Sequence, residues 1–310
     1  MNRIFFDPQR RQDWLTQGYS RVPVLSRNEA AQLLDELLAI RSRAELEASD
    51  HCQKRPGCHS SFDDPNPEYR RRIFDIVRDT FMPRLATVID DYRMTLGGIF
   101  VKTPGSAEVP LHSDWTFTTD PDQVTLNVWC PLVDVDDSNS GLRLVAGSHR
   151  LFEHIGAPGV APYFAGYEQE LKERSALMDL RAGEAVIFDS NLLHWSRPNL
   201  SDDIRPAIAF ICVPARATPA MYRKHKDGRR FEVFDMSNGG FFAQTSDELF
   251  EGTIRGRSLG FVANRNRPLT QREFDRLHAK GAKIRRRLLA PAAAGVERMA
   301  RLTGLFRRAV

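Results

Sequence analysis

Three residues of this 310-residue chain have the types and spacing to hold a metal ion: His112, Asp114 and His194. In an extended segment, alternate side chains leave the same face. The stretch Leu111-His112-Ser113-Asp114-Trp115 therefore sends an imidazole and a carboxylate one way and Ser113 the other. A distant histidine, in Leu193-His194-Trp195-Ser196, completes the triangle. Two imidazoles and one carboxylate, with the other coordination positions open, make the facial donor set of non-haem Fe(II) sites. A His-x-Asp alone is common by chance and a lone histidine is ordinarily structural, so the reading depends on its surroundings.

Two neighbours support it. Arg205 follows His194 across Arg197-Pro198-Asn199-Leu200-Ser201-Asp202-Asp203, a turn-forming run. A symmetric reversal there predicts that His194 and Arg205 meet across two antiparallel strands. Arg presents a planar fork that grips a carboxylate through two hydrogen bonds, and Ser196 shares the face of His194 and adds a hydroxyl. The run Thr125-Leu126-Asn127-Val128-Trp129-Cys130 alternates. Thr125, Asn127 and Trp129 on one face suit a polar cavity with an aromatic wall; Leu126, Val128 and Cys130 suit a core. The plainer alternatives are a surface salt bridge for Arg205 and a solvent face for the strand.

The words around these residues are HSDWTF, NVWCPLVDVDDSNSGLRLVAGSHR and GEAVIFDSNLLHWSRPNLSDDIR. In order, spacing and flanks, the chain resembles the phytanoyl-CoA dioxygenase family of Fe(II)/2-oxoglutarate oxygenases from about Gly98 to Val213, with a weaker echo at Gly18 to Pro23. The resemblance implies a double-stranded β-helix, the jelly roll shared with cupins. It implies His112, Asp114 and His194 as iron ligands, Arg205 and Ser196 on the co-substrate, and Trp129 beside it. It further implies Fe(II), 2-oxoglutarate and O2 as cofactor and co-substrates, with ascorbate a candidate accessory reductant. The implied reaction is hydroxylation of an unactivated C–H of a small-molecule or lipid-like substrate, with release of succinate and CO2. Asp114 favours hydroxylation, because related halogenases lack a carboxylate at that position. Two departures stand out. Ala146 replaces a proline before Gly147-Ser148-His149, and Ser113 replaces a frequent Gln. His149 is read as part of a turn, not as a ligand.

Composition bounds the rest. The hydrophobic fraction and the spread of aromatics suit a globular core. No apolar run approaches the length of a membrane span, and the first residues do not read as a signal peptide. Cys52, Cys58, Cys130 and Cys212 form no disulfide framework, which predicts reduced thiols and a cytoplasmic protein. The net charge of +4 is uneven: residues 278–310 carry nine Lys or Arg against Glu297, a net +8, which leaves −4 on the remainder. An acidic body argues against a nucleic-acid surface over the catalytic region. The basic tail, with Val296, Met299, Leu302 and Phe306 on one side, could instead touch an anionic membrane peripherally. Two other classes of function therefore stay open: an inactive jelly-roll binding protein, and a membrane-associated adaptor working through the tail.

The expected architecture is a mainly β domain over 1–265 with flanking helices, followed by a basic helical tail over 266–310. A capping box at Ser26 to Glu29 predicts a helix to about Glu47. Asn66-Pro67 predicts a second helix to about Thr80, interrupted by Pro83. Strands are expected near 94–102, 125–131, 141–146, 177–181, 184–188, 192–197 and 205–213. Period alone does not choose between sandwich and barrel. His51, Cys52, Cys58 and His59 are close enough to raise a second metal site, although their spacing matches no usual zinc pattern. The stretches 150–176 and 214–265 are read as irregular substrate-covering segments. Arg223-Lys224-His225-Lys226 and Arg229-Arg230 in the second could hold an anionic substrate or lie solvated. Thr270 to Glu273 is a further capping box.

Overall fold

Val128 and Trp129 are adjacent in sequence and buried on opposite sides of one strand. That alternation organises the fold. In a computed structural model, the residues described are 4–49, 52, 56–150, 154–272 and 274–275. In chain order the elements are α1 (Pro8–Gln17), β1 (Tyr19–Pro23), α2 (Arg27–Ile40), α3 (Arg43–Glu47), β2 (Cys58–Ser60), α4 (Pro67–Leu85), β3 (Tyr92–Lys102), β4 (Val109–His112), β5 (Leu126–Pro131) and β6 (Leu142–Leu144). There follow α5 (Glu168–Glu173), β7 (Ala176–Leu177), β8 (Glu184–Asp189), β9 (His194–Ser196), β10 (Arg205–Pro214), β11 (Ala220–Lys224), β12 (Arg230–Asp235), α6 (Ser246–Phe250) and β13 (Arg257–Ala263).

A large sheet runs β1-β8-β5-β10-β3-β2 and a small one β4-β9-β6-β7. Every pairing in them is antiparallel. From β3 to β10 the chain passes back and forth between the two sheets. That winding is the jelly roll the resemblance implied. It also corrects one expectation: β9 and β10 are not partners in a hairpin. The run 197–204 carries the chain from the small sheet to the large one, so His194 and Arg205 face each other across the interior. Asn199 shapes the crossing, its side-chain amide donating to Lys102 O at 3.0 Å and Asp203 O at 2.8 Å.

Parity decides which side chains reach the interior. On β5, β10 and β3, residues Leu126, Val128, Cys130, Ile208, Phe210, Cys212, Ile99 and Val101 join the core on the outer face, under α2 and α4. Their neighbours Asn127, Trp129, Arg205, Ala209, Phe100 and Lys102 face a cavity between the sheets. Phe81 of α4 stacks edge-on with Phe210 at 5.4 Å, which ties the helix to the sheet. β3 and β10 approach so closely that a Cβ at Gly97 would lie 2.1 Å from Phe210 Cβ.

The structure differs from sequence expectation in four more places. The first helix stops at Ile40, because Ser42 opens its own capping box with Glu45 and starts α3. α4 runs through Pro83 to Leu85, held by the fully buried Phe81 and Leu85. α1 was not anticipated, although Asp7 caps it, Pro8 opens it and Gly18 closes it in the left-handed region. The stretch 214–265 is not irregular: β11, β12 and β13 form a third antiparallel sheet. Among the described residues no helix is long and apolar enough to cross a membrane. By internal contacts the chain divides into units of residues 1–267 and 268–310. The basic tail at 278–310 and the completion of the Thr270 capping box lie outside the described residues, as does His51.

Candidate active site

His112 ends β4 and stands opposite His194, which begins β9. Their ring centroids are 4.1 Å apart. The strand ends at His112, and Asp114 is fixed instead by its N–H donating to Ser190 O at 2.9 Å. Its carboxylate then comes within 3.8 Å of His194 Nε2. Potential ligand atoms of His112, Asp114 and His194 all lie within 4.8 Å of one another, and this is the group of metal-ligating type that converges among the described residues.

The partners of the triad prepare it for a cation. His112 Nδ1 is 2.8 Å from Pro110 O, and His194 Nδ1 is 2.9 Å from Leu192 O. A carbonyl accepts, so each Nδ1 carries the proton and each Nε2 presents a lone pair. Burial pushes His194 down to about 4, which keeps that lone pair free at neutral pH. Burial also raises Asp114, against the opposing effects of His112 and of the hydrogen bond from Asn127 Nδ2 to Oδ2 at 2.9 Å. A largely buried carboxylate beside two imidazoles is a costly arrangement without a cation and a good one with it. The residues present therefore fit a divalent metal.

Two cavities open on this triad. The smaller, of about 140 Å³, is lined by Arg205, Trp129, Ser196, Lys102 and Ser140 together with the three ligand residues. Arg205 is buried, its guanidinium 5.5 Å from the Trp129 ring centre. Its Nε and Nη1 are buried without a hydrogen-bond partner, as is Asn127 Oδ1. Desolvation holds Arg205 down at about 10, so it stays cationic at neutral pH. Buried donors are almost always satisfied, so orphaned guanidinium N–H groups beside a small cavity mark a place for an anion. The larger cavity, of about 410 Å³, shares His112, Asp114 and Asn127 and is otherwise mostly apolar and aromatic.

Of the expected pocket residues, Asn127, Trp129, Ser196 and Arg205 come together with the triad. Thr125 is buried just before β5 and does not line either of these cavities. Ser113 lines the larger cavity. Sequence reasoning missed Lys102. It is almost wholly buried and pairs in register with Arg205. Its ammonium donates to Ser140 Oγ at 2.8 Å, to Ser196 Oγ at 3.3 Å and to Arg197 O. The signal was a lysine on the inward parity of a strand whose outward residues are all apolar. His149 packs 5.6 Å from the Trp14 ring, away from the triad. His59 is buried between Ser49 Oγ and the Tyr69 hydroxyl, and Cys58 lines the smaller cavity. All four cysteines are buried thiols.

The sequence model of the phytanoyl-CoA dioxygenase family matches residues 5–207, a span that includes every element of the triad and Arg205. This chain belongs to the phytanoyl-CoA dioxygenase family. Within and around that family, it is 27% identical over 161 residues to the dioxygenase cdmA of Talaromyces verruculosus, which covers 49% of each chain. It is 24% identical over 136 residues to the dioxygenase olcK of Penicillium canescens, covering 42% of this chain and 41% of that protein. The chain thus spans about half the length of the curated relatives it matches or less. Among solved structures, EvdO2 of Micromonospora carbonacea var. aurantiaca aligns at a TM-score of 0.48 and 20% identity, over 71% of this chain and 95% of that one.

Proposed function

We propose that this protein is a non-haem Fe(II)/2-oxoglutarate-dependent dioxygenase that hydroxylates an unactivated C–H of a small-molecule substrate. The observation that carries the reading is a buried guanidinium with unsatisfied N–H groups, Arg205, facing the same small cavity as a converging set of two imidazoles and a carboxylate. His112, Asp114 and His194 would hold the iron. Arg205 would take the far carboxylate of 2-oxoglutarate, aided by Lys102 and Ser196, with Trp129 as a wall. When bound, iron and 2-oxoglutarate would supply, with O2, an oxidation in which one oxygen atom goes to succinate as 2-oxoglutarate loses CO2 and the other enters the substrate C–H.

The chain's own residues do the positioning. The carbonyls of Pro110 and Leu192 hold the two imidazoles in the tautomer that aims Nε2 at the metal. Asn127 orients Asp114. Arg205 is buried between the two sheets, so its interaction with a dianion is felt at low dielectric. The test is an anaerobic titration of the full chain with Fe(II) and 2-oxoglutarate. A weak visible charge-transfer band is expected, and it should be lost or strongly weakened in Arg205→Ala. No band, or a band that Arg205→Ala leaves unchanged, refutes the assignment. Succinate release on substrate addition separates an enzyme from a jelly-roll binding protein.

A further inference from the structure

β2 contributes three buried residues, Cys58, His59 and Ser60, to the edge of the large sheet. His59 turns outward, its ring nitrogens 2.8 Å from Ser49 Oγ and 3.3 Å from the hydroxyl of Tyr69 on α4. Alternation then sends its neighbours inward: Cys58 lines the smaller cavity and Ser60 the larger. Cys58 pairs in register with Lys102 of β3, and Lys102 pairs with Arg205 of β10. One thiol and two cations thus form a single row across three neighbouring strands, and all three line the smaller cavity. Side chains directly opposed on one face of an antiparallel pair are within reach of each other, with Cβ atoms about 4.5–5.5 Å apart.

A buried thiol in apolar surroundings is inert, because its nucleophilic form, the thiolate, is there an unsolvated anion. Cys130 and Cys212 are of that kind: both join the core on the outer face, and burial pushes both thiols up. Cys58 is placed differently. Its row holds the guanidinium of Arg205, 4% exposed with Nε and Nη1 unpartnered, and the buried ammonium of Lys102. Those cations attract negative charge wherever it arises in the cavity, on an entering anion or on the Cys58 sulfur. The coupling is visible at Arg205: desolvation lowers it, and Cys58 and then Cys52 act in the opposite sense. The cavity is small, about 140 Å³, so a group attached to Cys58 takes space that a carboxylate ligand of Arg205 would use.

We propose that Cys58 is a modification site of this cavity, and that its oxidation by a hydroperoxide and the binding of 2-oxoglutarate at Arg205 exclude one another. In the step, the Cys58 sulfur attacks one peroxide oxygen. The S–O bond forms as the O–O bond breaks, so sulfur is oxidised by two electrons and the peroxide is reduced. Hydroxide leaves, takes up the proton the thiol gave, and departs as water. The product is the sulfenic acid or its anion, which two equivalents of a small thiol return to the thiol, leaving as their disulfide and water. An oxidised Cys58 adds an oxygen beside the two cations, within the space the co-substrate needs. The inference rests on the proposed oxygenase reading for the identity of the competing ligand, whereas the reactivity of the thiol follows from the row alone.

The experiment treats the full chain with hydrogen peroxide and dimedone, with Mn(II) in place of Fe(II), which would itself consume peroxide. Conversion of each cysteine, as dimedone adduct or disulfide, is followed by peptide mass spectrometry. Cys58 should react about tenfold faster or more than Cys130 and Cys212. 2-Oxoglutarate at 100 times its Kd should slow Cys58 at least about tenfold. After peroxide, the 2-oxoglutarate-dependent rise in Tm should be lost and then restored by dithiothreitol. Cys58→Ser should show the same rise before and after peroxide. Cys58 reacting no faster than Cys130 overturns the inference. So does conversion of Cys58 that leaves the rise in Tm intact, or a loss of the rise that persists in Cys58→Ser. If 2-oxoglutarate raises Tm and Cys58 stays unreactive, the inference fails and the oxygenase reading stands. If Cys58 reacts fast but 2-oxoglutarate neither raises Tm nor protects it, the oxygenase reading fails and Cys58 remains a modification site.

Discussion

Replacing Arg205 with Leu should separate binding from stability in opposite directions. In the wild type, two buried guanidinium nitrogens have no protein partner. Desolvation holds Arg205 down at about 10, an energetic cost on the order of 3 kcal/mol in the unliganded protein. The contact with Trp129 returns about 1 kcal/mol. Removing the charge and filling the space with an apolar side chain should therefore leave the unliganded fold as stable as before or stabilise it by about 1–2 kcal/mol. A gain of that size would raise Tm by a few degrees, at about 2–4 °C per kcal/mol. Binding should move the other way. Two charge-assisted hydrogen bonds to a carboxylate are worth about 3–6 kcal/mol together, so 2-oxoglutarate affinity should fall at least about 100-fold. Differential scanning fluorimetry reads both effects. With metal present and 2-oxoglutarate at 100 times its wild-type Kd, the wild type gains about 2.7 kcal/mol and the variant almost nothing. A variant that keeps the full 2-oxoglutarate-dependent shift refutes the anion-binding role. One that melts many degrees lower without ligand would show that the guanidinium holds the fold together.

Three further expectations follow from named contacts. Asn127→Ala removes the hydrogen bond to Asp114 Oδ2 and should weaken divalent-metal binding about 10- to 100-fold in calorimetry, with the fold intact; unchanged affinity would deny Asn127 its orienting role. Lys102→Met removes the second buried cation of the smaller cavity and should weaken 2-oxoglutarate binding about tenfold while leaving metal affinity unchanged; loss of metal binding instead would place its role in the fold. Glu29 closes the capping box of α2, and its pKa is pulled to about 2 first by the Ser26 N–H and then by Arg84. A carboxylate lowered on folding stabilises fully above its ordinary range and loses that contribution as pH falls toward its folded value. The Tm difference between wild type and Glu29→Gln should therefore be constant above about pH 5 and shrink below pH 4.5. A gap that stays the same down to pH 3 contradicts this.

Much of the site was legible before any fold was known. A His-x-Asp pair, a distant histidine and an arginine beyond a turn are chemical types whose convergence has few other uses. The alternation in β5 announced which of its side chains face inward, because a strand's period of two leaves no choice once one face is apolar. The route by which His194 and Arg205 meet was not legible. A turn-forming run looks the same whether it reverses a hairpin or carries the chain to the opposite sheet. Lys102 was missed for a related reason. A lysine in a strand reads as solvent-facing until the partner strand shows that its inward neighbours are Arg205 and a cavity between the sheets. The third sheet was hidden because its strands lie among turns and charged residues, and β13 is largely exposed.

Sequence alone therefore determined a candidate donor set, a candidate co-substrate arginine, and the sides of most strands, since these follow from residue chemistry and local backbone geometry. Tertiary structure decided everything that depends on contacts between distant segments. It brought Asp114 to the histidines through the Ser190 carbonyl and put Lys102 beside Arg205. It set Cys58 in the same row as both cations. The physical reason is that a pocket is lined by walls that come from distant parts of the chain, and no local pattern carries that assembly.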